Sequence, residues 1–181
     1  MQIESLLPGL FLIKPKVFED HRGHFFESFR EDVLAQNGVE TKFIQDNQSL
    51  SQKGILRGLH FQAPPFAQGK LVRVIQGAVL DVAVDIRKNS PTFGQHVAIE
   101  LSESNFLMMY IPVGFAHGFL TLQDNTIFTY KCTDYYHPEV EGGILWNSPD
   151  LNIPWKIETP ILSEKDEKLP TFKSFNSPFE F

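Results

Sequence analysis

His60 lies between Leu59 and Phe61 in the stretch RGLHFQ, with Arg57 three residues before it, and a second histidine, His117, lies in IPVGFAHGF. Lys70 precedes the apolar run LVRVIQ, and Tyr130 sits in TIFTYKC. An imidazole, an ammonium and a phenol are the group types of general acid–base catalysis. Each also has an ordinary structural reading when taken singly. A histidine among apolar residues is often a hydrogen-bonded core side chain, a lysine at a strand start can run its stem out to water, and a buried tyrosine needs only a partner for its hydroxyl. Chemistry requires that the strands send all three into one space.

The elements that must position them read mainly as short strands. LVRVIQGAVLDVAVDI holds two alternating runs around Gln76-Gly77, and HVAIEL, NFLMMYIPV, GFLTL and TIFTYKCTDYY continue the pattern between Pro and Gly breaks. Two short helices are expected, from Glu31 to Gln36 before Asn37-Gly38 and from Ser163 to Lys168. Many short strands with frequent turns predict an all-β jelly-roll sandwich or barrel. Within strand 79–87 the even residues Leu80, Val82, Val84 and Ile86 are apolar while Asp81, Asp85 and Arg87 are odd, which predicts an inner even face and an odd face in solvent. By the same parity Val72 and Val74 point inward with Lys70, and Phe128, Tyr130 and Cys132 share an inward face. Arg57 and His60 have opposite parity in a regular strand, but a bulge at Gly58 brings them to one side. The Pro112-Val113-Gly114 turn is expected to swing His117 toward a barrel mouth, and His96 opposes Val97, Ile99 and Leu101 as a surface histidine.

With 181 residues and no repeat or flexible linker, a single domain over 1–181 is expected. The apolar fraction of 42% and charged fraction of 21% are those of a globular protein, and 17 Phe with 12 Pro fit a packed, turn-rich β fold. A formal charge of −6 argues against a nucleic-acid-binding face but leaves room for a compact basic site that holds phosphate. The single Cys132 excludes an internal disulfide, and without a basic-plus-apolar leader a cytoplasmic setting is expected. No apolar run approaches the roughly 20 residues that span a bilayer. No metal is expected: His60-Phe61-Gln62 lacks a second histidine two residues on, Lys70 is a poor ligand near neutral pH, and the inner parities supply no carboxylate.

The segments DHRGHFFESF, QDNQS, GILRGLHFQ, GKLVRVIQGAVLDVAVDIRKNSPTFG, IPVGFAHGF, YKCTDYY and LSEKDEKLP, in this order and spacing, resemble the RmlC-like cupin family of dTDP-sugar 3,5-epimerases nearly end to end. The resemblance implies a cupin-type jelly roll without metal or other cofactor, acting on a dTDP-4-keto-6-deoxyhexose, and a homodimer whose N-terminal strand enters the partner's site. It implies His60 as general base, Asp166 as the carboxylate orienting it, Tyr130 as the acid on the opposite face of the sugar, and Lys70 near the C4 carbonyl oxygen. Arg22, Arg57 and Lys165 match positions that hold the nucleotide diphosphate. Glu27, Gln45, Asp46, Asn47, His117 and Glu141 match other ligand-contacting positions, and Lys168 and Tyr135 match less closely. Asp166 also has a competing reading, since Ser163-Glu164-Lys165-Asp166 looks like a helix N-cap with an acid at its third position. Rival functions are epimerisation at C3 only, a metal-dependent cupin oxygenase, and a sugar-binding barrel without catalysis.

Overall fold

The computed structural model describes residues 1–181. The chain runs β1 (Gln2–Leu7), β2 (Leu10–Lys14), β3 (Val17–Asp20), β4 (Gly23–Phe26), α1 (Glu31–Gln36), β5 (Gln45–Ser51), β6 (Leu56–Gln62), β7 (Lys70–Gln76) and β8 (Ala78–Asp85). It continues through β9 (His96–Ser102), β10 (Met108–Ile111), β11 (Phe115–Thr121), β12 (Thr126–Cys132), β13 (Glu141–Gly143) and α2 (Glu164–Glu167). Two antiparallel sheets, ordered β1-β2-β10-β7-β12-β5 and β13-β6-β11-β8-β9, make up the jelly roll, and β3-β4 forms a separate hairpin. Both helices fall where the punctuation puts them, with Asn37 closing α1 and the Ser163 hydroxyl capping α2.

Between the sheets, Val72 and Val74 of β7 and Phe128 of β12 meet Val79 and Ala83 of β8 and Phe119 of β11. Each such Val or Phe side chain withdrawn from water contributes about 1.5–3 kcal/mol. The opposite face of β8 is also covered. Leu80, Val82 and Val84 pack with Ala116 and Leu120 against Trp146, Trp155 and Phe179 of the C-terminal segment. Every residue from Ala78 to Asp85 is therefore buried.

This reverses the expected faces of β8. The even side chains lie under the C-terminal segment, and the odd face, expected in solvent, looks across the barrel interior. Asp81 and Asp85 are both 0% exposed. Alternation separates two faces but cannot say which one meets water when a later, irregular segment covers the second. Buried carboxylates require partners, and both have them: Asp81 meets His117, and Asp85 accepts from Arg87, Ser90 and Thr92.

The bulge at Gly58 is present. His117 pairs with His60, yet Phe119 pairs with Arg57, so β6 advances three residues where β11 advances two. Gly58 has φ +125, and a Cβ there would stand 2.5 Å from Gly118 Cα. Only glycine meets both demands.

Candidate active site

A cavity of about 460 Å³ opens at the bulge, between the two sheets. Arg57, His60, Lys70, His117, Tyr130 and Asp166 line it. Lys70 and Tyr130 enter from the six-stranded sheet on the parity shared with Val72 and Phe128, as their alternation predicts. The extra residue on β6 turns Arg57 and His60 to the same side. His117 arrives by a different route from the one expected: it sits within β11, directly across from His60, and the strand register rather than the preceding turn aims it inward.

Asp166 is brought in by α2. Ile161 bridges to Ile55, and the backbone bonds Leu56 N–H to Ile161 O and Ile161 N–H to Gly54 O dock this segment against the start of β6. The Ser163 hydroxyl accepts the Asp166 N–H at 3.2 Å, so the cap is real, but it uses the Asp166 backbone and leaves the carboxylate free. That carboxylate reaches His60 Nε2 at 2.5 Å and accepts the Gly58 N–H at 3.4 Å. Burial alone would raise the Asp166 carboxyl, but the His60 contact, Gly58 and Ser163 outweigh it and hold it below the usual carboxylate range. Asp166 therefore donates to the helix cap through its backbone N–H and pairs with His60 through its carboxylate.

Lys70 Nζ lies 5.8 Å from the Tyr130 ring centroid. Burial draws the ammonium below the ordinary lysine value, opposed by the negative charges of nearby groups that include Glu141 and Asp81. Burial likewise pushes the Tyr130 phenol up, against a downward pull from Arg57. Arg57 donates through Nε and a terminal nitrogen to Ser51 Oγ, both at 3.3 Å.

A side chamber of about 90 Å³ shares His60, Lys70 and Tyr130 and adds Gln45, Asn47 and Glu141. Gln45 Nε2 donates to Asn47 Oδ1 at 3.1 Å, and Asn47 Nδ2 to the Cys132 sulfur at 3.6 Å. Glu141 pairs with Lys165 and accepts from the Tyr136 hydroxyl at 2.6 Å. Burial raises the Glu141 carboxyl, yet these two partners leave it below its usual value, and the same bond lifts Tyr136 to about 12.

Three expected positions are not brought to this cavity. Asp46 alternates with Gln45 and Asn47, so it turns to the opposite face of β5 and pairs with Lys131 at 3.0 Å. Arg22 and Glu27 belong to the N-terminal hairpin and its exit, where they are exposed and pair with Asp20 and Arg30. Of the two weaker matches, Lys168 is exposed and Tyr135 is turned out at 59% exposure, though its carbonyl accepts from Gln62. Sequence reasoning missed Asp81, because its odd parity reads as solvent-facing. It also missed Ser51, whose hydroxyl holds Arg57 and carries no signal of its own.

The family model described as dTDP-4-dehydrorhamnose 3,5-epimerase matches residues 4–174. A dTDP-4-dehydrorhamnose 3,5-epimerase of Methanothermobacter thermautotrophicus is 52% identical over 167 residues, which cover 91% of this chain and 90% of that protein. The crystal structure of the enzyme of that name from Elizabethkingia anophelis superimposes with a TM-score of 0.92 at 46% identity, covering 98% of this chain and 99% of the other. The Legionella pneumophila protein, solved in complex with dTDP-4-keto-L-rhamnose, gives 0.91 at 47% identity, covering 97% and 94%. With its barrel, its site and this breadth of similarity, the chain belongs to the dTDP-4-dehydrorhamnose 3,5-epimerase family.

Proposed function

We propose that the chain, acting as one catalytic domain over residues 1–181, converts dTDP-4-dehydro-6-deoxy-D-glucose to dTDP-4-dehydro-L-rhamnose for dTDP-rhamnose biosynthesis. The observation that carries this reading is the His60–Asp166 pair facing the same cavity as Lys70 and Tyr130. Inverting C3 and C5 beside a C4 ketone requires removal of a carbon-bound proton, which becomes accessible only if the enolate oxygen is stabilised as charge develops. Lys70 supplies a fixed positive charge in a space shielded from water, where such a charge acts more strongly than in solvent.

The His60 nitrogen not held by Asp166 takes the proton. Asp166 fixes the tautomer and balances the imidazolium that forms. Inversion then needs a proton delivered to the opposite face by a different group. The Tyr130 phenol, kept protonated well above neutral pH by burial, is that acid. Arg57 and Lys165 at the cavity wall hold the diphosphate oxygens, where the guanidinium fork matches the geometry. Gln45, Asn47, His117 and Glu141 contact the rest of the ligand.

Arg22 and Glu27 act in a homodimer, in which one copy's N-terminal hairpin closes the other's cavity. The exposed Phe18 and Phe25 of that hairpin, at 52% and 66%, fit a surface that a second chain covers. A soluble nucleotide-sugar substrate supports a cytoplasmic setting for this reaction.

Incubation with the 4-keto substrate in D₂O should place deuterium at both C3 and C5. Label at C3 alone would make the chain a C3-only epimerase, and no label in the presence of intact protein would remove the reaction altogether. In the same assay Tyr130→Phe should keep exchange while losing most inverted product, whereas His60→Ala should lose exchange by about 10²- to 10⁴-fold.

A further inference from the structure

Two histidines line the cavity, each paired with a carboxylate, and the reaction above uses only one of those carboxylates. His117 Nε2 lies 3.1 and 3.0 Å from the two carboxylate oxygens of Asp81. Asp81 stands two residues from Ala83, the residue opposite His117 in the β8–β11 ladder, so the contact is a diagonal one on the interior face. Both groups are deeply buried, Asp81 at 0% and His117 at 6% exposure. The imidazole is further held by Phe128, stacked at 6.2 Å, and by Phe119 at 6.5 Å. Its Nδ1 makes no hydrogen bond to the protein, yet the only buried side-chain polar atoms without a partner are Ser49 Oγ and Thr121 Oγ1. Nδ1 is thus the imidazole atom left open to the cavity that His117 lines.

A packing role does not account for this. An apolar pair would fill the interior face of β8 without the cost of desolvating a carboxylate. The arrangement makes sense where the orientation of the imidazole matters.

We propose that Asp81 is a positioning residue of the epimerisation: by accepting Nε2–H it fixes His117 in one tautomer and one ring orientation, so that Nδ1 offers a lone pair to a hydroxyl of the bound hexose. The inference rests on the epimerase reading above. A carboxylate only accepts, so in the neutral ring the single proton sits on Nε2 and Nδ1 can only accept. What His117 recognises is therefore a hydroxyl donor and not the ketone oxygen. Lys70, whose ammonium only donates, has the complementary task at that oxygen. One side of the barrel reads the sugar's hydroxyl, and the other its carbonyl.

The first test needs no substitution. In wild-type protein carrying ¹⁵N-histidine, the His117 ring should show the Nε2-protonated neutral tautomer, and an Nδ1-protonated ring would overturn the proposal. The second is Asp81→Asn, whose amide can donate to Nε2 and so favours the other tautomer. It should switch the His117 ¹⁵N pattern and lower kcat/KM by about 10²-fold, with more of the loss in KM than in kcat. A folded variant with the switched pattern and wild-type kinetics would refute the role. If the variant does not fold, the wild-type spectrum decides. If wild-type protein fails to turn over the 4-keto substrate, the epimerase reading falls, while the tautomer result still stands as a separate outcome.

Discussion

The chain contains the same Asp-x-Arg clasp twice, once buried and once in water. In Asp20-His21-Arg22 the arginine donates its backbone N–H to Asp20 Oδ1 at 2.8 Å, its Nε at 3.2 Å and a terminal nitrogen to Oδ2 at 2.6 Å. In Asp85-Ile86-Arg87 the same three bonds measure 3.0, 2.9 and 2.7 Å. Local sequence thus makes the clasp, and its surroundings decide what it does. Arg87 is 13% and Asp85 0% exposed, against 78% and 45% for Arg22 and Asp20. The buried carboxylate also accepts from the Ser90 and Thr92 hydroxyls, each at 2.6 Å, and Arg87 lies over the rings of Phe115 and Phe181 and donates to Pro8 O. The buried clasp ties both chain termini to the end of β8. The exposed clasp ties Arg22 to nothing beyond its own turn, and under the proposed function its guanidinium exchanges Asp20 for a phosphate.

The largest effect separating the two should appear in stability. Asp85→Ala strands Arg87 and two hydroxyls beneath the termini, and breaking a buried pair of this kind costs roughly 3–5 kcal/mol. Thermal or urea unfolding of Asp20→Ala should match wild type, because exposed pairs contribute little. Equal losses in the two variants would show that the clasps do not differ as their burial implies.

The pH dependence gives a finer comparison. Burial alone would raise the Asp85 carboxyl, but Arg87, Ser90 and Thr92 outweigh it and hold it below its usual value. A depressed folded-state pKa means that the charge contributes stability in full above the unfolded value of roughly 3.9 and loses it as pH falls through the folded one. The stability gap between wild type and Asp85→Asn should therefore be constant from about pH 6 to 5 and narrow below about pH 4. A gap that stays constant to pH 2 would mean that the lost bond, and not the charge, carries the effect.

Much of this organisation was legible in the sequence, for particular reasons. The two helices announced themselves through Asn37-Gly38 and Ser163, and the bulge through a glycine inside a strand. Lys70 and Tyr130 could be placed because Val72, Val74, Phe128 and Cys132 share their parity, while Arg73, Thr129 and Lys131 between them take the other. Asp81 could not be placed, because the layer that buries the other face of β8 comes from Trp146, Trp155 and Phe179, far along the chain and outside any strand. Asp46 lies off the cavity for the converse reason: a motif match carries QDN as a block, whereas a strand turns the middle residue away from its neighbours. The pairing of Asp166 with His60 depends on a segment docked from over a hundred residues away, which no local pattern encodes.

In the exposed clasp the measurable consequence lies in binding. Arg22→Ala should raise KM by about tenfold with kcat nearly unchanged, as expected when a charged contact to a non-reacting part of the substrate is removed. Added salt should narrow the difference, since charges in water are screened over about 10 Å at 0.1 M. A fall in kcat as deep as that of His60→Ala would place Arg22 among the reacting groups and end the distinction drawn here.

The smallest expected effect concerns Asp20, the aspartate that holds Arg22 in this structure. Asp20 is held below its usual pKa by the Arg22 side chain and backbone, so at neutral pH it remains a charged competitor for the guanidinium. Asp20→Asn keeps an oxygen to accept the Arg22 backbone N–H, and so keeps the turn, but removes the competing charge. If a phosphate displaces this carboxylate, the variant should bind substrate about two- to threefold more tightly than wild type, a gain on the scale of an exposed ion pair. The equivalent change in the buried clasp has no such route to improvement, because nothing enters there to take the vacated place. A higher KM in Asp20→Asn would instead mean that Asp20 holds Arg22 in its binding pose, and that the exposed clasp is, like the buried one, a fixed part of the architecture.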